Sequence, residues 1–191
     1  MDYLISVVTI AGINIIMALS FYLPFMTGQI SLGQAGFMSI GAYASAVCTV
    51  KFGIPYVPAV LIGGICSAMV GFVLGLPALR IKGIYLLLLT LGFGEIVRVV
   101  FINIDYIGAA AGFPGIPYQE HTLLYAYGMI LILIIFFNRL RKSRMGRACQ
   151  AVGTDEDAAE VLGVNIIAVK LTAFSSGAFI AGVGGGIFAH Y

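Results

Sequence analysis

"GIYLLLLTLGFGEIVRVVFINI", residues 83–104, decides what kind of fold this chain can adopt. Crossing the hydrocarbon core of a bilayer as a helix takes roughly 20 apolar residues. This segment is that long and carries two charges, Glu95 and Arg98. Nothing in it alternates apolar with polar residues, as a membrane β-strand must. A helix satisfies every backbone N–H and C=O within its own segment, so a helix is the reading that survives.

Five further apolar segments flank it, at about 3–26, 35–50, 57–79, 122–138 and 171–190. The second and fifth of the six are short, and 35–50 reaches spanning length only with help from the polar residues before it. The chain is 61% hydrophobic and 9% charged, with a mean hydropathy of +1.06. A soluble domain carries about 25% charge. These numbers predict an all-α integral membrane protein, a polytopic bundle of about six transmembrane helices forming a single domain over 1–191. The start, "MDYLISVV", lacks the basic region of a cleaved signal peptide and reads as part of a retained helix.

Composition also excludes. A net charge of +2 without a basic, aromatic-interleaved run gives no footprint for nucleic acid. Cys48, Cys66 and Cys149 have no CxxC spacing, so free thiols are expected. There is no G-x-x-x-x-G-K-[ST] phosphate loop, and "GVGGG" at 182–186 has no lysine. His121 and His190 fall at segment ends without a catalytic context. The chain is expected to be no enzyme and to bind no cofactor or metal.

Lys and Arg set the orientation. Arg139, Arg141, Lys142, Arg144, Arg147 and Lys170 crowd a loop at about 139–170, and Arg80 and Lys82 mark another connection. The positive-inside rule places both in the cytoplasm. The loop at about 103–121 has no Lys or Arg and falls outside, as does the N-terminus. Lys51 is the one cation on the outer side.

"QISLGQAGFMSIGAYASA", 29–46, is the polar anomaly. Gln29, Ser31 and Gln34 are neutral donors and acceptors, and Gly28, Gly33, Gly36 and Gly41 favour irregular backbone and close approach. Two readings fit. One is a broken helix that restarts near 31–35 inside the membrane, as transporters use to point a helix N-terminus at a substrate. The other is an interfacial loop. Two ladders of small residues, Gly63-Ser67-Gly71-Gly75 and Ala178-Gly182-Gly186, suit close helix packing. Glu95 and Arg98, at i and i+3, share a face. A fixed ion pair, a snorkelling Arg98 and a contact with a zwitterionic cargo all account for them. Thr90, Gly92 and Gly94 before them either line a cavity or pack.

In the basic loop, Thr154 is placed to cap a two-turn helix, with Asp155, Glu156 and Asp157 in its first turn and Asp157 closing a capping box. Ala158, Ala159, Val161 and Leu162 are its apolar or small positions, and Gly163 is its left-handed stop. A basic helix at about 141–152, ending at Gly153, precedes it. Such a short helix is marginal alone in water. It either rests on the membrane or docks a cytoplasmic partner.

"DAAEVLG", 157–163, resembles the EAA-x-x-x-G loop of ABC-importer permeases, with Asp157 in the place of Glu. "GQISLGQAGFMSIGAYASA", "GLPALRIKGIYLLLLTLGFGEIVRVV" and "SRMGRACQAVGTDEDAAEVLGVNIIAVKLTAFSSGAFIAGVGGGIFAHY" resemble the branched-chain amino-acid permease subunits of bacterial and archaeal uptake systems, in the motif order of the M-type subunit. The resemblance implies a permease of the cytoplasmic membrane. Its implied partners are cytoplasmic ATPase subunits that use the ATP, a second homologous permease, an external solute-binding protein and membrane lipid. It implies a coupling helix carrying Asp157, Ala158, Ala159, Leu162 and Gly163. Gln29, Ser31, Gly33, Gln34, Thr90, Glu95 and Arg98 are the candidates for the translocation pathway. The family continues beyond "FAHY", so the chain is expected to be truncated at Tyr191. Similar permeases carry urea, amides or other amino acids, and an ion-coupled carrier or channel is the alternative of another class.

Overall fold

The computed structural model describes residues 2–79, 81, 83–104, 107, 113–119 and 121–191. Arg80 and Lys82, used above for orientation, lie outside them, as does part of the 103–121 loop. Among the described residues eight α-helices follow in order: α1 (Asp2–Met26), α2 (Gln34–Phe52), α3 (Tyr56–Ala78), α4 (Ile84–Asn103), α5 (Thr122–Lys142), α6 (Arg144–Thr154), α7 (Glu156–Val161) and α8 (Ile166–Ala189). Six of them, α1 to α5 and α8, are long and apolar enough to cross a membrane. The expected spans are all present, with ends moved by a few residues. The short α6 and α7 gather at one end with the basic termini of α5 and α8. This end is called the basic end below. It is the end that the positive-inside rule assigns to the cytoplasm.

α8 is the most buried span and α4 the least. α8 packs against α3, α2 and α1. Lipid offers apolar side chains no advantage in leaving it for one another, so helices associate in a bilayer through close van der Waals contact. The small-residue ladders supply that contact. A methyl group on Gly41 of α2 would overlap the Gly182 backbone of α8, and one on Gly185 would overlap the Met38 carbonyl. A methyl on Gly63 of α3 would stand 2.5 Å from the Gly41 carbonyl oxygen. Gly71 faces Ala178 and Gly75 faces Leu171, so the two ladders read from sequence meet each other. The Ser67 hydroxyl donates to the Phe37 carbonyl at 2.8 Å, tying α3 to α2 at the same crossing.

That crossing fixes where α2 begins. Ser67 lies about 16 Å before the end of α3, and Phe37 about 4–5 Å into α2, at 1.5 Å per residue. The antiparallel α2 therefore starts about 12 Å inside the basic end of α3. The link 27–33 that feeds it is non-helical and buried on one side only: Thr27, Gln29, Ser31 and Gly33 are enclosed, while Gly28, Ile30 and Leu32 are exposed. The polar anomaly is thus a non-helical link followed by α2, which starts at Gln34. α1 stops in a Schellman turn. Gln29 N–H donates to the Pro24 carbonyl at 3.1 Å and Gly28 N–H to Phe25 at 3.0 Å, with Gly28 left-handed at φ 75°. The turn sits on α6, because Gly153 has no side chain to strike the Met26 carbonyl.

At the opposite end three helices share one buried imidazole, and a fourth reaches it through Tyr56. His190, just past α8, places Nδ1 2.9 Å from the Gly186 carbonyl and Nε2 3.1 Å from Thr49 Oγ1 of α2. Its ring meets the Tyr56 ring of α3 edge-on at 5.1 Å, and Tyr56 in turn meets Tyr125 of α5 at 4.8 Å. The outer cation, Lys51, stands 5.9 Å over the Phe113 ring.

The crossing is testable by stability. Gly41→Ala is expected to cost about 1–3 kcal/mol, the usual penalty of overpacking. Gly92→Ala has nothing within 4 Å of the added methyl and leaves the thermal midpoint in detergent unchanged. Equal midpoints for the two variants would refute backbone contact at this crossing.

Candidate functional site

Two regions hold the residues singled out by sequence. The first lies between α2 and α4. Thr90, fully buried on α4, accepts the Leu32 N–H at 3.0 Å and donates to the Leu87 carbonyl at 3.0 Å. One hydroxyl thus holds the non-helical link against a neighbouring helix. Ser31 Oγ accepts the Gly33 N–H at 3.2 Å, which steers the chain into α2. Gly33 lies beside Thr90, Phe93 and Ser31, at distances where an added methyl would make ordinary van der Waals contact. Ser31 therefore satisfies loose backbone. Gln29 Oε1 lies 3.2 Å from Thr27 Oγ1, while Gln34 Oε1 is buried without a hydrogen-bond partner. α2 has Gly33 as its N-cap and no side-chain cap bond.

In front of this layer is a cavity of about 440 Å³, lined on α2 by Ala35, Gly36, Ser39 and Tyr43 and on α4 by Gly94, Glu95, Arg98 and Phe101, among others. Arg98 Nη1 donates to Glu95 Oε2 at 3.3 Å, and both side chains are more than 60% exposed on the flank of α4. The pair anticipated from the i, i+3 spacing forms, but at the rim of an open groove and not inside the chain. A second cavity of about 300 Å³ shares Ser39 and Tyr43 and runs on to Phe113, Ile116 and Phe188. The groove thus follows one face of α2 from Leu32 toward the outer end. Tyr43 stacks on Phe101 at 4.3 Å across it.

Of the pathway candidates, the structure brings Ser31, Gly33 and Thr90 together behind the groove and puts Glu95 and Arg98 in it. Gln29, Ser31, Gly33, Gln34 and Thr90 are not among the residues that line it. Sequence reading missed Ser39, Tyr43 and Phe101. The spacing Ala35, Ser39, Tyr43 marks one helix face, but only the pairing of α2 with α4 shows that this face borders a cavity.

The second region is the basic-end loop. Its short helix is α7, and its cap is Asp155, one residue later than expected. Thr154 stays in α6, with Oγ1 donating to the Gln150 carbonyl at 2.9 Å. Asp155 is extended, and its Oδ1 accepts from Asp157 N at 3.0 Å and Ala158 N at 3.1 Å. α6 starts later than read, at Arg144 behind a Ser143 cap, and runs through Gly153. Gly163 is the left-handed stop foreseen, at φ 80°, with Val164 N–H donating to Ala159 and Gly163 N–H to Glu160 in a Schellman turn.

The two faces of α7 differ. Ala159 is 1% exposed and packs with Cys149, Val152 and Val169. It holds α7 to α6 and α8. Val161 and Leu162 point outward instead, 88% and 79% exposed. Ala158, Asp157 and Gly163 are exposed beside them. Val161, which the sequence marks only as one apolar position among several, is the most protruding.

A family model described as "Branched-chain amino acid transport system / permease component" matches residues 3–191. The chain belongs to this family. The high-affinity branched-chain amino acid transport system permease protein LivM of Salmonella typhimurium is 33% identical, over 93% of this chain and 48% of its own length. LivM of Escherichia coli K12 matches to the same extent. The fructose import permease protein FrcC of Rhizobium meliloti is 25% identical, over 85% of this chain and 49% of its own. The chain spans about half the length of these curated relatives. No solved structure matches significantly. The chain is a multi-pass membrane protein and a permease component.

All three cysteines are free, as expected. Burial pushes the Cys149 thiol up from its ordinary ionisation, and a backbone hydrogen bond offsets part of that rise. Less thiolate is therefore present in the folded protein near neutral pH than in the unfolded chain, and the thiolate is the reactive form. Maleimide is expected to label Cys149 about tenfold more slowly, or slower still, in the folded protein, because burial reduces both the thiolate fraction and the access of the reagent. The rate should climb as pH rises. Ala159→Glu should open the cluster and speed labelling; fast labelling of the unaltered protein would contradict the inward placement of Ala159.

Proposed function

We propose that this chain is the membrane-spanning permease of an ATP-driven importer for branched-chain amino acids, in the cytoplasmic membrane of a bacterium or archaeon. The observation that carries the substrate class is the Glu95–Arg98 pair at the rim of a groove whose other lining residues, Ser39 and Tyr43 apart, are apolar or glycine. Ionisable residues on a spanning helix are costly toward lipid and normally face a bundle interior or water. Here they face outward from this chain, so a polar surface must cover them. A second permease subunit closing over α2 and α4 would do so and convert the open groove into a path. A zwitterionic amino acid suits such a path. Arg98 takes the carboxylate, Glu95 takes the ammonium, and Leu91, Phe101 and Ile102 receive an aliphatic side chain. FrcC, named for fructose, has a cargo with no such charges, which makes the pair the natural place to test cargo.

The coupling half of the proposal rests on α7. Val161 and Leu162 protrude at the basic end from a helix anchored from behind by Ala159. They are the knob that enters a groove on a cytoplasmic ATPase subunit, where the ATP is bound. An external binding protein delivers cargo at the other end.

Two measurements check these halves. In proteoliposomes with the binding protein and ATPase subunits, Arg98→Gln and Glu95→Gln are each expected to cut labelled-leucine uptake by about tenfold or more, the scale of losing a charge-assisted contact. Uptake of urea or fructose in place of leucine would reject the cargo. Separately, Val161→Glu with Leu162→Glu is expected to abolish co-purification of the ATPase subunits while the permease still inserts. Retained association, or leucine transport with no ATPase present, would reject the docking reading and favour an ion-coupled carrier.

A further inference from the structure

Lys170 is the residue whose position the proposed function does not use. It lies five residues into α8, a helix otherwise apolar, and is 7% exposed. Its Nζ stands 2.6 Å from Glu156 Oε1, the first residue of α7. A buried ion pair is weak evidence for stability, because desolvation of both charges offsets their attraction. A lysine kept there calls for another reason.

The geometry supplies one. α7 is six residues long and is joined to α8 through Leu162, Gly163, Val164 and Asn165. That link contains left-handed Gly163, and at its other end α7 is joined through Asp155 to α6, the helix it packs on most. The ion pair ties the other end of α7 to α8 and closes a triangle across a sequence separation of 14. Ala159, seated against Val169, fills its middle. Asn165 Oδ1, accepting Ala168 N–H at 3.0 Å, fixes the start of α8 at the corner. Displacement of α7 is thereby handed to α8. From α8 it reaches α2 through the Gly182–Gly41 and Gly185–Met38 contacts, where no side chain stands between the backbones. α2 is one wall of the groove.

We propose that the Lys170–Glu156 pair is the crossbar that makes α7 and α8 move as one piece, so that Lys170 is a positioning residue for the coupling of ATP hydrolysis to translocation. This rests on the docking role of α7 given above. The test uses the full-chain permease in its complete complex, reconstituted with binding protein, and reads three quantities: assembly, ATP hydrolysis with and without leucine-loaded binding protein, and leucine taken up per ATP. Lys170→Met keeps the length of the side chain and removes its charge. The complex should assemble and hydrolyse ATP, hydrolysis should no longer respond to loaded binding protein, and uptake per ATP should fall by about tenfold or more, the range of a lost charge-assisted bond. Lys170→Arg should preserve coupling, and the exchange Glu156→Lys with Lys170→Glu should recover most of what either single change loses.

Full coupling in Lys170→Met overturns the proposal. So does loss of assembly in parallel with uptake, together with no recovery in the exchanged pair, since a purely structural bond behaves that way. The Val161→Glu, Leu162→Glu variant, measured alongside, separates the two layers. If it still couples, the docking role itself fails. If it loses the ATPase subunits while Lys170→Met stays coupled, only the crossbar fails.

Discussion

Bare backbone against bare backbone, where α8 crosses α2 and α3, is the contact on which the rest of this structure depends. A bilayer gives apolar helices no reason to prefer one another over lipid, so adhesion has to come from proximity. Gly41, Gly63, Gly182 and Gly185 allow a proximity that alanine would forbid. Once α2 is held at that height, its first turn must fall inside the bundle. The link from α1 must then turn at depth, and its polar groups need partners there. Thr90 and Ser31 serve the backbone at that point. The groove between α2 and α4 exists because α2 leans on α8 and leaves its other face to a loosely held α4.

Two ion pairs lie in opposite surroundings, and the contrast is informative. Lys170–Glu156 is largely enclosed and short, joining two helices of one end into a rigid unit. Glu95–Arg98 is longer and open, along a single helix. The first is largely enclosed by its own chain. The second has donors and acceptors to spare, in a place where water is scarce unless another surface provides it.

Spans were legible because hydropathy is a local property: the apolar runs are long, and their ends moved by only a few residues. The non-helical link before α2 was legible for the same reason, since 35–50 was too short to span and the Gly, Ser and Gln before it had to do something. The left-handed stop at Gly163 followed from its residue type. What stayed hidden depends on neighbours. Ala158 and Ala159 are identical in chemistry, and only the positions of Cys149, Val152 and Val169 decide which one turns inward. Thr154 and Asp155 are both competent caps, and the choice fell to whichever residue α6 did not absorb. Ser39, Tyr43 and Phe101 became groove residues only through the pairing of α2 with α4. Glu156 and Lys170 met across a turn whose geometry no periodicity encodes.

The imidazole of His190 has a mechanical meaning that its burial alone does not convey. By hydrogen bond and ring contact it joins α8 to α2 and α3, and through Tyr56 to α5, at the end far from α7. A rod pinned at one end and pushed at the other does not slide; it pivots. In the coupling proposed above, the long axis of α8 is a lever with its fulcrum at the His190 end. Its travel is smallest beside His190 and grows toward Lys170. The glycine crossing, part-way along, receives a reduced share of that travel with greater force, and it is there that α2 is gripped.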